Sequence, residues 1–83
     1  MNAFVYVLAS ADGARTYVGW TIDLDARLAR HNAGVGAKFT RGRSWRLIYA
    51  ERCPSRRHAL RREHALKRDR KLRAALRAGY DLK

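Results

Sequence analysis

Five residues carry most of the chain's capacity for chemistry: Tyr6, Tyr17, Arg27, His31 and Glu63. The two tyrosines lie in the stretch Phe4 to Trp20, FVYVLASADGARTYVGW, where two runs rich in Val, Tyr and Phe flank an Asp12-Gly13 pair. β-favouring runs around Asp-Gly read as a hairpin, because Asp-Gly tolerates the positive φ of a tight turn. With Asp12 and Gly13 at the centre of the turn, Ala11 faces Ala14, Leu8 faces Tyr17 and Tyr6 faces Gly19, so Tyr6 and Tyr17 share a face. As diagonal neighbours their Cα atoms are roughly 7 to 8 Å apart, close enough for two phenol oxygens to converge on one small polar group. Gly19, opposite Tyr6, leaves room for something to dock beside them. Arg27 and His31 are four apart, which places both on one border of a helix where they can look at the sheet. Glu63 is the only acid in the basic stretch from Ser55 to Arg68, and it sits beside apolar positions.

Taken singly, each residue has an ordinary structural reading. Paired tyrosines pack in hairpins. Arg27 could be a solvated helix arginine, His31 a histidine interacting with a helix C-terminus, and Glu63 an ion-pair partner of Arg62 or Lys67. None of these readings accounts for the five occurring together.

The elements that position them follow from periodicity and caps. Thr21-Ile22-Asp23 forms a helix entrance with Asp23 as cap, and the helix runs to about Asn32-Ala33 with Leu24 and Leu28 inward. Gly34 to Arg43 reads as a glycine-rich basic loop able to follow a phosphate backbone. Ser44 to Cys53 is a third strand, stopped by Pro54. Ser55 caps a second helix reaching about Arg68, with Leu60, Glu63 and Lys67 along one stripe and Ala59 and Leu66 on its flanks. A last helix from about Arg70 to Ala78, with Leu72 and Leu76 inward, ends at Gly79. The order β-β-α-β-α-α predicts an α+β fold: a small three-stranded antiparallel β-sheet with helices packed around it, in a single domain over residues 1–83.

The chain has 83 residues, enough for one domain that buries about 60 to 65% of its unfolded surface. Nineteen Lys and Arg oppose seven Asp and Glu, a net charge of +12. A field of that sign attracts polyanions, nucleic acid first. Ten of the nineteen basic residues fall between Arg56 and Arg77. An anionic membrane surface is the rival partner, but the segment from Pro54 to Gly79 has no aromatic residue to anchor it. Cys53 is alone, which excludes an intramolecular disulfide framework or a thiolate zinc cluster and fits a reducing cytoplasm. His58 and His64, six apart, point to different sides of their helix and read as surface residues.

The pattern Phe4-Val5-Tyr6, ten further residues, then Tyr17-Val18-Gly19 resembles the GIY-YIG nuclease domain, with Phe4 in place of the leading glycine and valines for both isoleucines. The likeness extends through Arg27 and His31 of the first helix, through Gly36-Ala37-Lys38-Phe39-Thr40-Arg41-Gly42, and through Leu60-Arg61-Arg62-Glu63, so it covers nearly the whole chain. It is similar to the small stand-alone members of that superfamily (the URI type).

This resemblance implies divalent-metal-dependent hydrolysis of phosphodiester bonds in nucleic acid, with Glu63 as the single protein ligand of Mg²⁺ or Mn²⁺. Arg27 would bind the non-bridging oxygens. Tyr6, Tyr17 and His31 would orient and deprotonate water, with the base open between His31 and Tyr6. His31 has the more suitable reference pKa, about 6.5 against about 10. Nucleic-acid contacts are expected from Lys38, Thr40, Arg41, Arg43, Arg56, Arg61, Arg62 and Lys67, on DNA rather than RNA and on single-stranded or structured substrates. The latter follows from the absence of an added DNA-binding domain before Lys83. A cytoplasmic monomer with no small-molecule cofactor and no membrane partner completes the expectation. The alternative is a non-catalytic basic DNA- or RNA-binding module with a vestigial site, which the charge supports equally well but which would not need the five residues.

Overall fold

In the computed structural model of the protein, residues 2–35 and 42–81 are described. The elements are β1 (Ala3–Ser10), β2 (Thr16–Thr21), α1 (Leu24–Asn32), β3 (Trp45–Cys53), α2 (Arg56–Arg68) and α3 (Arg70–Asp81). The three strands form one antiparallel sheet in the order β2-β1-β3, so the first strand is central. Its alternation explains the layering. Val5 and Val7 face Ala59 and Leu66 of α2, with Leu72 and Leu76 of α3 packed alongside, while Tyr6 and Leu8 face Trp45, Leu24 and Leu28 on the α1 side.

The hairpin register pairs Leu8 with Tyr17 and Tyr6 with Gly19, as the Asp-Gly parity predicts. The turn itself is wider than expected. Ser10 N–H donates to Arg15 O at 2.9 Å, and Ala11 N–H leaves the ladder to reach Ser44 O, so Ala11 does not pair with Ala14. The tip is closed instead by the Asp12 carboxylate, which accepts from Ser10 Oγ at 2.5 Å and from Ala14 N at 3.0 Å, with Gly13 at φ 72°. Ser10 and Arg15 preserve the parity of a two-residue turn, which is why the register survives.

The entrances of α1 and α2 are capped by the expected residues: Asp23 accepts from Ala26 N at 3.1 Å and Ser55 from His58 N at 3.2 Å. Two details differ from the sequence reading. Leu60 is 49% exposed, and the buried stripe of α2 is Ala59 and Leu66, seven apart, with Glu63 between them. The helix is turned so that Ala59 and Leu66 meet the valine-covered sheet and Leu60 faces away from it. And Gly79 does not end α3, which continues to Asp81. A glycine inside a helix costs about 1 kcal/mol relative to alanine, too little by itself to stop a helix. No helix among the described residues is long and apolar enough to cross a membrane.

Candidate active site

Beside edge strand β2 lies an open cavity of about 350 Å³, lined by Tyr6, Tyr17 and Gly19 of the hairpin, Arg27 of α1, and Arg56 and Glu63 of α2. Residues up to 57 positions apart therefore meet here because the two helical layers close on the same sheet edge.

Tyr6 and His31 form the centre of the arrangement. The Tyr6 hydroxyl is 2.9 Å from Nε2 of His31 across a buried contact, with Tyr6 2% and His31 0% exposed. The three rings make a triangle, with centroids 6.4 Å apart for Tyr6 and Tyr17, 6.0 Å for Tyr6 and His31, and 5.0 Å for Tyr17 and His31. Burial, with further contributions from the neighbouring Tyr17 phenol and the Glu63 carboxylate, pushes the Tyr6 phenol well above the ordinary range, while Arg27 pulls it back. Tyr17 is raised by burial and by Glu63, again against Arg27. His31 is pushed below its ordinary value by burial and by the charge of Arg27. At neutral pH the pair is thus a neutral phenol beside a neutral imidazole.

Gly19 has a reason specific to this pair. A Cβ on Gly19 would lie 2.5 Å from the Tyr6 hydroxyl oxygen and 2.7 Å from its Cζ. The space that the sequence suggests for a docked ligand is filled by the Tyr6 ring end itself, which crosses over the glycine backbone.

Glu63 is 19% exposed at its side chain, and its nearest ion-pair partner is Lys67 at 3.9 Å, one helical turn on. No cluster of three or more His, Cys, Asp or Glu able to hold a metal occurs among the described residues. A single carboxylate at the wall of an open cavity with room for several waters suits Mg²⁺ or Mn²⁺, which retain waters and take phosphate oxygens; it does not suit a cation that demands a full protein cage.

The residues expected to contact nucleic acid divide sharply. Arg56 lines the cavity, and Arg61 and Lys67 are exposed on α2. Arg62 is committed elsewhere: its Nε and Nη2 donate to Glu51 at 2.6 and 3.0 Å, and Glu51 also accepts from the Tyr49 hydroxyl at 2.6 Å, which ties α2 to β3. Arg43 sits by the hairpin tip, near Asp12, and not at this cavity. Lys38, Thr40 and Arg41 lie outside the described residues. His58 and His64 are exposed on α2.

One positioning residue was not anticipated. The side chain of Asn32, next to His31, accepts from Trp45 N at 2.7 Å and donates to Trp45 O at 3.1 Å, so it pairs with the start of β3 as a strand residue would. Trp45, 3% exposed, in turn packs its ring against Tyr17 at 6.4 Å. The sequence carries no signal for this, since an asparagine at a helix end reads as a terminator.

Residues 2–75 match the family model of the GIY-YIG catalytic domain, and the chain belongs to that family, a family of endonuclease domains. It is similar to proteins named UPF0213. One from Halalkalibacterium halodurans is 45% identical over 64 residues, 76% of this chain and 67% of that one. One from Natronomonas pharaonis is 46% identical over 61 residues, covering 72% of this chain and 71% of the relative. The solution NMR structure of a UPF0213 protein from Bacillus halodurans superposes with a TM-score of 0.54 at 40% identity, covering 92% of this chain and 82% of that one.

Proposed function

We propose that the protein is a divalent-metal-dependent endonuclease that hydrolyses phosphodiester bonds in DNA, favouring single-stranded or structured substrates, with Tyr6 as the base nearest the water and His31 as the acceptor behind it. The observation that carries this reading is the 2.9 Å contact between two neutral groups, Tyr6 Oη and His31 Nε2, at the wall of the cavity that Arg27 and Glu63 also line. His31 is fully buried, so attacking water cannot reach it directly, whereas Tyr6 borders the cavity. That argues for Tyr6 as the near group and against the reference pKa as the guide.

In this account the Tyr6 hydroxyl donates to Nε2, which makes His31 the Nδ1–H tautomer. Water attacks phosphorus, its proton passes to Tyr6 Oη as the phenol proton passes to Nε2, and the bond from phosphorus to the leaving oxygen breaks, the departing oxygen taking a proton from solvent water in the open cavity. Arg27 holds non-bridging oxygens and offsets the charge that accumulates on them. Tyr17, against both Tyr6 and His31, fixes the rings and excludes bulk water. Glu63 would hold the metal, which when bound supplies positive charge for a phosphate oxygen and for the leaving group.

The rival reading, a basic binding module, makes Glu63 the partner of Lys67. At 3.9 Å, with Lys67 55% exposed at its side chain, that pair contributes about 0 to 0.5 kcal/mol and does not explain a carboxylate at the wall of this cavity. A reduced, buried Cys53 is consistent with a cytoplasmic setting. The test is a panel of labelled single-stranded, duplex and branched DNA and RNA with Mg²⁺, Mn²⁺ or EDTA. Metal-dependent cleavage, fastest on single-stranded or branched DNA, is expected. No cleavage of any substrate with either metal would leave only the binding module.

A further inference from the structure

A second cavity, of about 310 Å³, opens at the hairpin end of β2 and is lined by Ala14, Arg15 and Thr16 from the hairpin and by Arg70, Arg73 and Arg77 from α3. We infer that this cavity binds a phosphate of the nucleic-acid strand a few nucleotides from the bond that is cut, and so sets how long a strand the protein must grip. The inference rests on the nuclease reading for the meaning of "cut"; the binding itself does not depend on it.

Four arginines and no acid line the cavity. Arg70, Arg73 and Arg77 stand at i, i+3 and i+7 of α3, so one helix face presents all three. The protein holds two of them with neutral groups: Arg73 donates from Nη2 to Lys67 O at 2.9 Å and from Nη1 to Thr16 Oγ1 at 3.4 Å, and Arg77 donates from Nη1 to Ala14 O at 3.1 Å. These bonds fix the guanidinium planes without cancelling their charge. Arg73 Nε is buried with no acceptor, and no ion pair to Arg70, Arg73 or Arg77 occurs among the described residues. Contrast Arg62, whose guanidinium is neutralised by Glu51. Pre-positioned arginines such as Arg73 and Arg77, held by neutral acceptors, suit the planar, bidentate recognition of a phosphate.

The placement supplies the strand. Thr16 lines this cavity and Gly19 the catalytic one, both on edge strand β2. At about 3.3 Å per residue, three residues separate the two by about 10 Å along the strand, one on each face of this sheet edge. A single polynucleotide strand running beside β2 would reach both, with one phosphate at Arg27 and Glu63 and another at Arg70, Arg73 and Arg77.

The test uses the full chain and a labelled 12-nucleotide single-stranded DNA in EDTA, where nothing is cut. Arg70→Gln and Arg77→Gln are compared with Arg52→Gln, which makes the same charge change on β3 at the opposite sheet edge. Folding is checked by circular dichroism. Losing one phosphate contact should reduce the slope of log K against log salt by about 0.7, which at 0.1 M salt corresponds to about fivefold weaker binding. Arg52→Gln should lose clearly less. In Mg²⁺, the two cavity variants should raise KM on the 12-mer with kcat retained, and leave cleavage of a dinucleotide unaltered. If folded Arg70→Gln and Arg77→Gln lose no more affinity or slope than Arg52→Gln, or if they lose binding to anionic phospholipid vesicles but not to DNA, the inference is overturned. If the unmodified protein cuts nothing, the nuclease reading falls while the EDTA comparison still decides the arginine cavity.

Discussion

The hydroxyl of Tyr6 and Nε2 of His31 lie 2.9 Å apart although they stand 25 positions apart in the chain, with His31 fully buried and Tyr6 reaching the cavity wall. Two features of the chain make that contact: the hairpin register that sets Tyr6 over a glycine, and the asparagine that fastens the end of α1 to β3. Each can be perturbed separately.

The pH dependence follows from the sign of the His31 shift. If neutral His31 receives the proton, cleavage falls with acid as His31 protonates, and the midpoint lies below the ordinary value near 6.5. The acid limb should vanish, with a lower plateau, in His31→Gln. Stability carries the same signature. The folded-state value is depressed, so the unfolded chain binds protons first; the contribution is complete above about 6.5 and is lost as pH falls from there towards the folded value. Rate and stability profiles over pH 5 to 8 check both. Activity that rises towards pH 5 would require protonated His31 and would reverse the assignment.

Gly19→Ala should act through Tyr6. The added methyl overlaps the phenol oxygen, and Tyr6, buried and bonded to His31, has little room to retreat. A loss of about 1 to 3 kcal/mol from overpacking is expected. A displacement on the order of 1 Å at a reacting group costs roughly 100-fold in rate. Cleavage rates at full folding separate the second effect from the first. Wild-type rates would show that the Tyr6 hydroxyl position does not matter.

Asn32→Ala removes both bonds to Trp45. Two partly exposed neutral hydrogen bonds contribute about 1 to 2 kcal/mol together. Asn32→Asp retains the acceptor for Trp45 N but turns a carboxylate oxygen towards Trp45 O, so it should be no better. Both variants should lower the melting temperature. Because Asn32 directly follows His31 and fastens that end of α1 to β3, they should also blur the acid limb of the rate profile, which a purely structural loss elsewhere would leave in place.

Most of the geometry that gathers these candidate residues was legible in the sequence, for reasons that can be named. The Asp12-Gly13 parity placed Tyr6 opposite Gly19 because the wider loop closed by Ser10 and Arg15 steps the strands back by the same count. Arg27 and His31 were found together because a four-residue spacing is a contact on any helix. Glu63 stood out as a carboxylate among arginines. What escaped depends on tertiary fit. Alanine is small enough for either face of a helix, so Ala59 as the buried residue and Leu60 as the exposed one could not be read from period alone. Gly79 reads as a stop, yet α3 runs through it to Asp81. The Asn32 and Trp45 pairing joins α1 to β3, thirteen positions apart, and the commitment of Arg62 to Glu51 joins α2 to β3; neither has any local signature.

The central claim is that Glu63 serves the reaction and the arginines serve the substrate, and Glu63→Ala separates them. Cleavage and binding of one labelled strand are measured side by side, in Mg²⁺, Mn²⁺ and EDTA, on protein shown to be folded. Removing one negative charge from a +12 chain should leave affinity unchanged or slightly tighter. Cleavage should fall to the level that EDTA leaves in the unmodified protein, because carboxylate and metal act as one unit in the transition state. Folded Glu63→Ala protein that cuts as fast as the original would contradict the account.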